Sequence, residues 1–394
     1  MKIVHIAPNS PYNDYWGYQD NLLPKYQKKL GHEVTIIVPN LMHENGSIVQ
    51  TNCADYRLND GVRVIRLSRV KRFSNILTTL SSKLDVYELL KELKPDFIFF
   101  HGLVSDTIFD AIKYKNNINQ KCVIVQDNHL DYNIGFDPKT LKGRILRAYY
   151  RRKNKKSISY VDKVYGVTPW RKQYAKDFFG IPDEKLDVLI MGADDEKIDF
   201  SNREEIRNKI REQNNISGNE FLIVTGGKID LKKKIHILMK ACSNLESVKL
   251  LVFGNVNDDV KNEFEDILKS STNIVYVGWI DSEKVYDYFF AADLVFFPGQ
   301  HSVLWEQACA SKVPCVFERW EKMEHINNGG NSDFVSPVTE ETIKEKIQEL
   351  HNTEKYEKMK SVAFSEKTDI YLYSNIAKKS LECVKTENEM EMNK

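Results

Sequence analysis

The sequence predicts an α/β protein made of two doubly wound domains of similar size. Three observations carry this. Short apolar runs alternate with longer amphipathic segments, which implies a parallel sheet covered on both faces. The alternation stops at about 195–219, DEKIDFSNREEIRNKIREQNNISGN, a charged stretch poor in large apolar residues. A second alternating series then begins. The length of 394 residues and a hydrophobic content of 42% suit two cores of this kind.

In chain order, the first series reads KIVHIAP, VTIIVP, FIFFHG, CVIVQD, KVYGVTP and VLIMG as buried strands. Helical patterns such as NLLPKYQKKLGH and VYELLKELK lie between them. The second series reads FLIVTGG, VKLLVFG, IVYVGW, DLVFFPG, PCVFE and DFVSP. The expected division is 1–195 for the first domain and 196–365 for the second. Residues 366–394 then form a helix, YSNIAKKSLECVK, packing back on the first domain, and a frayed polar tail.

The bulk numbers exclude several classes. A net charge of +1 argues against a nucleic-acid binder. The six cysteines form no CxxC pair and no His/Cys cluster, so they read as reduced, buried residues of a cytoplasmic protein, without a structural zinc. The opening MKIVHIAPN turns polar too early for a signal peptide, and no apolar run approaches the ~18 residues of a membrane span. The first strand is followed by APNSPYNDYWGYQDN, which has no GxGxxG, and VTIIVP ends without a ribose-binding acid, so a nicotinamide dehydrogenase is disfavoured. The P-loop and Gly-x-Ser-x-Gly signatures are absent as well.

Ligands of open α/β sheets bind beyond the carboxyl ends of the strands. FLIVTGGKIDLKKKIHILMKA (221–241) is the most informative stretch there. A strand ends at Gly226-Gly227, Lys228 follows, and the run Lys232–Lys234 opens a helix with Ile235, Leu238 and Met239 on its apolar face. Backbone amides after paired glycines favour an anion. Positive charge at a helix start is unfavourable by itself, which points to an anionic partner for Lys228 and Lys233. The alternative is a solvated lysine run beside an ordinary turn.

From these motifs the chain resembles the GT-B glycosyltransferases, in particular the large retaining family of group 1 (family 4-like) enzymes, over nearly its whole length. MKIVHIAPNSP…GYQDNLLPKYQKKLGHEVTIIVP resembles that family's first strand, glycine-bearing loop (Gly17) and second strand. GVTPW and LDVLIMGAD resemble its last amino-terminal segments. GGKIDLKKKIHILMKA resembles the pattern Gly-Arg-Leu…Lys-Gly…Leu-x-x-Ala, with Lys228 in place of the usual Arg, which keeps the charge and loses the bidentate fork. The resemblance implies two Rossmann-like domains facing a central cleft. It implies a nucleoside-diphosphate sugar as donor, held at the diphosphate by Lys228 and Lys233, with no cofactor and no metal.

PGQHSVLWEQACASKVPCVF (298–317) resembles the donor pocket. In the family two glutamates seven residues apart follow Pro-Ser, and the second begins a helix and contacts the ribose. Glu306 matches the second. An ionised carboxylate accepts from both ribose hydroxyls; the alternative is an acid favoured at a helix start by a few tenths to about 1 kcal/mol. The first glutamate has no counterpart. The loop is shorter, and Gln300, His301 and Ser302 occupy what remains. Gly17, Gly227, Lys228, Lys233, His301, Ser302, Val303, Leu304 and Glu306 are the expected donor-binding set.

On the acceptor side, FIFFHGLVSD brings His101 and Gly102 to a strand end, and CVIVQDNHLDYN brings Asp127, His129 and Asp131 to the next. Spacing of two on an extended segment points alternate side chains the same way. The family carries a cleft histidine here, so either Asp127 or His129 lies near the donor sugar. A lone histidine at a strand end is as often a structural hydrogen-bonder. Retention, also implied, needs no enzymic nucleophile: Lys228 and Lys233 stabilise the departing diphosphate, which helps take the acceptor's proton. The rival readings are a non-catalytic GT-B partner subunit and an inverting enzyme with Asp127 as base.

LKGRILRAYYRRKNKKS (141–157) carries eight Lys/Arg and no acid between Lys142 and Lys156. Arg144, Arg147 and Arg151 fall on one helical stripe and Ile145, Leu146, Tyr149 and Tyr150 on another. RVKRFSNILTTL (69–80) adds a second basic segment. Such a face suits the anionic inner surface of a membrane, in keeping with a glycan or lipid-linked acceptor; a solvated face is the alternative.

Overall fold

A computed structural model describes residues 1–44, 46–71, 81–246 and 248–384. Most of the second basic segment, 72–80, and the polar tail, 386–394, lie outside these residues.

The chain divides into two compact units, Met1–Ile190 with the residues from Ile376 on, and Met191–Asn375. The first boundary thus falls at 190/191 rather than at 195/196, and residues 366–375 join the second unit. Backbone pairing explains both shifts. Ala193 N donates to Tyr371 O at 2.8 Å, and Tyr373 N donates to Ala193 O at 3.0 Å. After Ile376 the chain belongs to the first unit, where Ser380 Oγ accepts from Gln27 Nε2 at 2.9 Å.

The first unit holds strands β1 (Lys2–Ile6), β2 (Glu33–Pro39), β3 (Leu41–Glu44), β4 (Ser47–Gln50), β5 (Ala54–Arg57), β6 (Arg63–Leu67), β7 (Phe97–Phe100), β8 (Val123–Asn128), β9 (Lys163–Gly166) and β10 (Leu186–Val188). Among the described residues its main sheet runs β10-β9-β8-β7-β1-β2-β6-β5. Every pairing is parallel except β5 with β6. Strands β3 and β4 form a separate hairpin. The central strands are apolar throughout because both faces are covered; Phe97, Ile98, Phe99 and Phe100 are all fully buried. The expected strand VLIMG stops at Val188, and ADYR and RVIRL pair although their polar alternation gave no signal.

The second unit holds β11 (Phe221–Ile229), β12 (Val248–Val256), β13 (Ile274–Tyr276), β14 (Leu294–Phe297), β15 (Cys315–Glu318) and β16 (Ser332–Val335). They form a parallel sheet in the order β13-β12-β11-β14-β15-β16. Strand β11 does not end at the paired glycines; it pairs with β12 as far as Ile229. This close run requires glycine: Gly227 and Gly254 have φ +104° and +124°, and a Cβ on Gly254 would sit 1.8 Å from Gly227 O. Arg207 and Arg211, on the helix Arg203–Gln213, both pair with Asp293 at 2.6 Å and fasten the charged stretch to this unit.

The cysteine expectation holds for Cys122, Cys242, Cys309 and Cys315, which are buried and free. It fails for Cys53, which is exposed, and Cys383, which is half-buried. Among the described residues no helix is long and apolar enough to cross a membrane.

Candidate functional site

In the second unit the lysines precede the helix rather than opening it. Asp230 Oδ1 accepts from Lys232 N and Lys233 N, each at 3.0 Å, and holds a turn. Lys234 takes a left-handed conformation at φ 55°, and the helix runs Ile235–Ser243. Lys234 is drawn off to Glu318 at 2.5 Å. Lys233 is half-buried, and its Nζ donates to Gln300 O at 2.6 Å and His301 O at 3.3 Å. Burial lowers its pKa to about 8, with Asp230 opposing and the Lys228 charge adding to the fall. Lys228 remains 61% exposed, with Nζ 3.3 Å from Asp230 Oδ2. The structure therefore brings the two predicted lysines to one place, beside a single carboxylate.

The loop 298–303 packs on this turn. Gln300 N donates to Lys232 O at 3.0 Å, and a Cβ on Gly299 would sit 2.4 Å from the Lys233 carbonyl. Gly227 abuts Leu304, whose Cδ1 lies 2.9 Å from where a Cβ would stand. Ser302 O accepts from Trp305 N, and Val303 caps the short helix Leu304–Ala310. This helix begins two residues earlier than the expected start at Glu306. Gly17, by contrast, sits in an open loop of the first unit, and nothing lies within 4 Å of an added Cβ.

Glu306 is not an exposed acid at a helix start. It has no exposed surface. His301 Nε2 lies 2.9 Å from its Oε1 and 3.1 Å from its Oε2, and His325 Nε2 lies 3.1 Å from Oε1. Burial alone would raise the carboxyl, but the two imidazoles hold it down to about 2. His325 escaped the sequence reading. It lies on a turn at Glu324–Ile326, with its carbonyl held by Tyr371 Oη at 2.7 Å, and no local pattern in KMEHINN marks it. The three ligand atoms lie within 4.8 Å of one another, a spacing open to a cation, yet each contact is also an ordinary N–H···O bond.

In the first unit the network sits at the carboxyl ends of the adjacent strands β8, β7 and β1. Asp127, at the end of β8, is fully buried. Its Oδ2 lies 2.8 Å from His101 Nδ1 and 3.2 Å from His129 Nε2, and its Oδ1 accepts from Gly102 N at 2.8 Å. Burial would raise Asp127, but His101 and His129 hold it well below the usual carboxylate range. His129 keeps 38% of its side chain exposed. Asp131 does not converge with these groups, because β8 ends at Asn128 and the alternation stops there. It instead accepts from Asn133 N and Ile134 N and pairs with Arg171 at 3.2 Å. His101 is the third member in its place. This trio is also tightly spaced, and its contacts too are ordinary N–H···O bonds.

The basic helix spans Leu141–Ser157, capped by Thr140. Its charged stripe is partly structural. Arg147 and Arg151 both donate to Asp177 O at 2.8 Å, and Lys153 is buried on Val104 O and Asp106. Leu146 and Tyr150 turn into the core. Leu141, Ile145 and Tyr149 remain exposed at a spacing of four, at 74%, 61% and 44%, among exposed Lys142, Arg144 and Arg152.

Comparison with known proteins agrees with this arrangement. Residues 22–197 match the model of glycosyltransferase family 4, and residues 206–365 match that of glycosyl transferases group 1. A processive diacylglycerol alpha-glucosyltransferase of Acholeplasma laidlawii is 21% identical over 209 residues, 48% of this chain and 62% of the relative. An uncharacterized glycosyltransferase of Methanocaldococcus jannaschii is 22% identical, over 58% of this chain and 61% of its own length. The chain thus matches just over three-fifths of the length of these two relatives. Among solved structures, a glycosyltransferase of Rickettsia africae superposes with a TM-score of 0.69 at 17% identity, covering 96% of this chain and 97% of the other. Anabaena HepE in complex with UDP gives 0.67 at 15% identity, over 98% and 100%. Two Rossmann-like α/β units, with both family models matched in order along the chain, make this protein a member of the group 1 glycosyltransferases, with a family 4 amino-terminal domain and the GT-B fold.

Proposed function

We propose that the protein transfers a sugar from a nucleoside-diphosphate donor to a glycan or lipid-linked hydroxyl, with retention at the anomeric carbon. One observation carries the reading: Lys228 and Lys233 stand together beside one carboxylate, and partial burial lowers the Lys233 pKa to about 8. Two cations sharing one acid fit a dianionic diphosphate. The UDP held by HepE has that chemistry. In this reading the lysines neutralise the leaving diphosphate as the glycosidic bond breaks, and the diphosphate oxygen helps accept the acceptor's proton as the new bond forms. Glu306 takes ribose hydroxyls in exchange for its bond to His301, which must move aside because the carboxylate has no exposed surface. Of the two candidates in the first unit, His129 is partly exposed and Asp127 is enclosed, so His129 is the one able to meet a ligand.

The exposed stripe Leu141, Ile145 and Tyr149, flanked by Lys142, Arg144 and Arg152, would rest on an anionic leaflet where a lipid-linked acceptor resides. The diacylglycerol substrate in the name of the Acholeplasma relative favours that class of acceptor. One observation favours a rival, a partner subunit without turnover: the carboxylate of Glu306 is already fully engaged.

Thermal stability in the presence of UDP, GDP, CDP, dTDP and ADP tests the proposal. A ligand at a hundred times its Kd adds about 2.7 kcal/mol. A shift with one diphosphate, reduced in Lys233→Ala and Glu306→Ala, is expected. No shift with any of them would favour the partner subunit.

A further inference from the structure

A line of side chains runs inward from His129, and its hydrogen bonds can be assigned one proton at a time. The start is a backbone carbonyl, which only accepts. Ser380 Oγ donates to Ala377 O at 2.7 Å, which uses its single proton. Ser380 Oγ must then accept from Gln27 Nε2, 2.9 Å away, and this fixes the orientation of the Gln27 amide. Gln27 Oε1 therefore faces His5 Nε2 at 2.7 Å, and that nitrogen carries a proton. His5 Nδ1 meets His101 Nε2 at 3.0 Å. At the far side His101 Nδ1 meets Asp127 Oδ2 at 2.8 Å, and an ionised carboxylate only accepts, so His101 Nδ1 is protonated.

One contact remains, between His5 Nδ1 and His101 Nε2. Each ring already carries a proton on its other nitrogen. A hydrogen bond between the two rings requires one further proton, so the pair holds three protons on four nitrogens. Its net charge is +1. His101 is the ring beside the carboxylate; burial opposes its protonation most strongly, but the Asp127 charge, the hydrogen bond to Asp127 and the Asp20 charge together outweigh it. His5 is enclosed against Phe99 and Gln27, and burial with the neighbouring His101 charge pushes it down to about 3.

We infer that His101 is a buried imidazolium, held between neutral His5 and Asp127, and that through Asp127 it positions His129. Asp127 also accepts from His129 Nε2, which places the proton of His129 on that nitrogen and leaves Nδ1 with its lone pair. His5 and His101 are thus positioning residues that act through Asp127. The charged and titratable groups acting on this set are His5 from β1, Asp20 from the helix Gln19–Lys29, Asp127 from β8 and His129 from the loop after it. The proton assignment rests on geometry; its use in transfer rests on the proposed function above.

The test needs no substrate. Full-length protein labelled with 15N-histidine is followed by long-range 1H–15N correlation from about pH 6 to about pH 9, spanning the ordinary histidine value of about 6.5. The expected spectrum has one histidine with both ring nitrogens protonated throughout, absent from His101→Gln, and one permanently neutral Nε2–H ring, absent from His5→Gln. A parent spectrum in which His5 and His101 are both neutral at about pH 7 overturns the inference, and does so even when the variants fail to fold. A neutral His129 ring protonated on Nδ1 instead of Nε2 overturns its placement by Asp127. Neither result depends on transferase activity, so a failure here stands apart from a failure of the proposed function.

Discussion

Lys233 makes the donor affinity a function of pH. In the unliganded protein burial depresses its pKa from 10.5 to about 8. The ammonium has two carbonyl partners, Gln300 O and His301 O, but among the described residues its one nearby counter-charge is Asp230, which Lys228 shares. A diphosphate supplies the missing negative charge and returns the lysine toward its ordinary value. Binding above about pH 8 must then take up a proton, while binding below it need not. The dissociation constant should stay flat from about pH 7 to about pH 8 and then rise about tenfold per unit, a loss of about 1.4 kcal/mol for each. The diphosphate itself does not produce this slope, because its last ionisation, near pH 6, is complete by then. Calorimetric titration of the responding nucleoside diphosphate, in two buffers of different ionisation enthalpy, measures both affinity and proton uptake. Lys233→Met should bind weakly with no slope. Equal affinity at pH 7 and 9, without proton uptake, would refute the argument. The same shift acts on folding with a definite sign. The unfolded chain binds the extra proton between about 8 and 10.5, so unliganded stability gains from Lys233 as pH rises through that window.

Three further outcomes follow from other groups. Glu306, held at about 2 against an ordinary 4.5, contributes roughly 3 kcal/mol that is complete above about pH 4.5 and lost on acidification toward pH 2; urea unfolding at stepped pH should show this contribution in the parent and not in Glu306→Gln. Gly254→Ala forces a Cβ to 1.8 Å from Gly227 O at φ +124° and should cost about 3 kcal/mol or more, whereas Gly218→Ala, with open space around it, should be close to neutral in the same denaturation assay. Ile145→Glu removes an exposed apolar group and adds a negative charge, and should lower co-sedimentation with anionic vesicles about tenfold at low salt; equal sedimentation would return the basic helix to solvent.

The strands were legible because a parallel sheet buried on both faces must be apolar along its length, and FIFF or LVFF announces that locally. The lysine pair was legible for a similar reason: Gly226-Gly227 and Lys228–Lys234 fall within one short stretch. What escaped depends on residues distant in sequence. His5 reaches His101 across 96 positions, and His325 reaches Glu306 across 19. Nothing in the spacing near either residue encodes its partner. The charged stripe was misread for a different reason. Periodicity places Arg147 and Arg151 on one face, but it does not show that the Asp177 carbonyl at the end of a neighbouring turn claims both. Asp131 was misassigned because alternation was extended past the end of a strand whose last residue is Asn128.

The division of the first unit into Met1–Ile190 and the residues from Ile376 on has a consequence for synthesis. A ribosome that has finished residue 190 has made all the strands of the first sheet but not Ser380, which orients Gln27 and through it His5. At about 5–20 residues per second, translating 191–380 takes roughly 10–40 s. Throughout that interval Gln27 lacks the hydroxyl that Ser380 supplies in the finished chain. The hydrogen-bond line that orders the histidine protons is therefore complete only after Ser380 has been made.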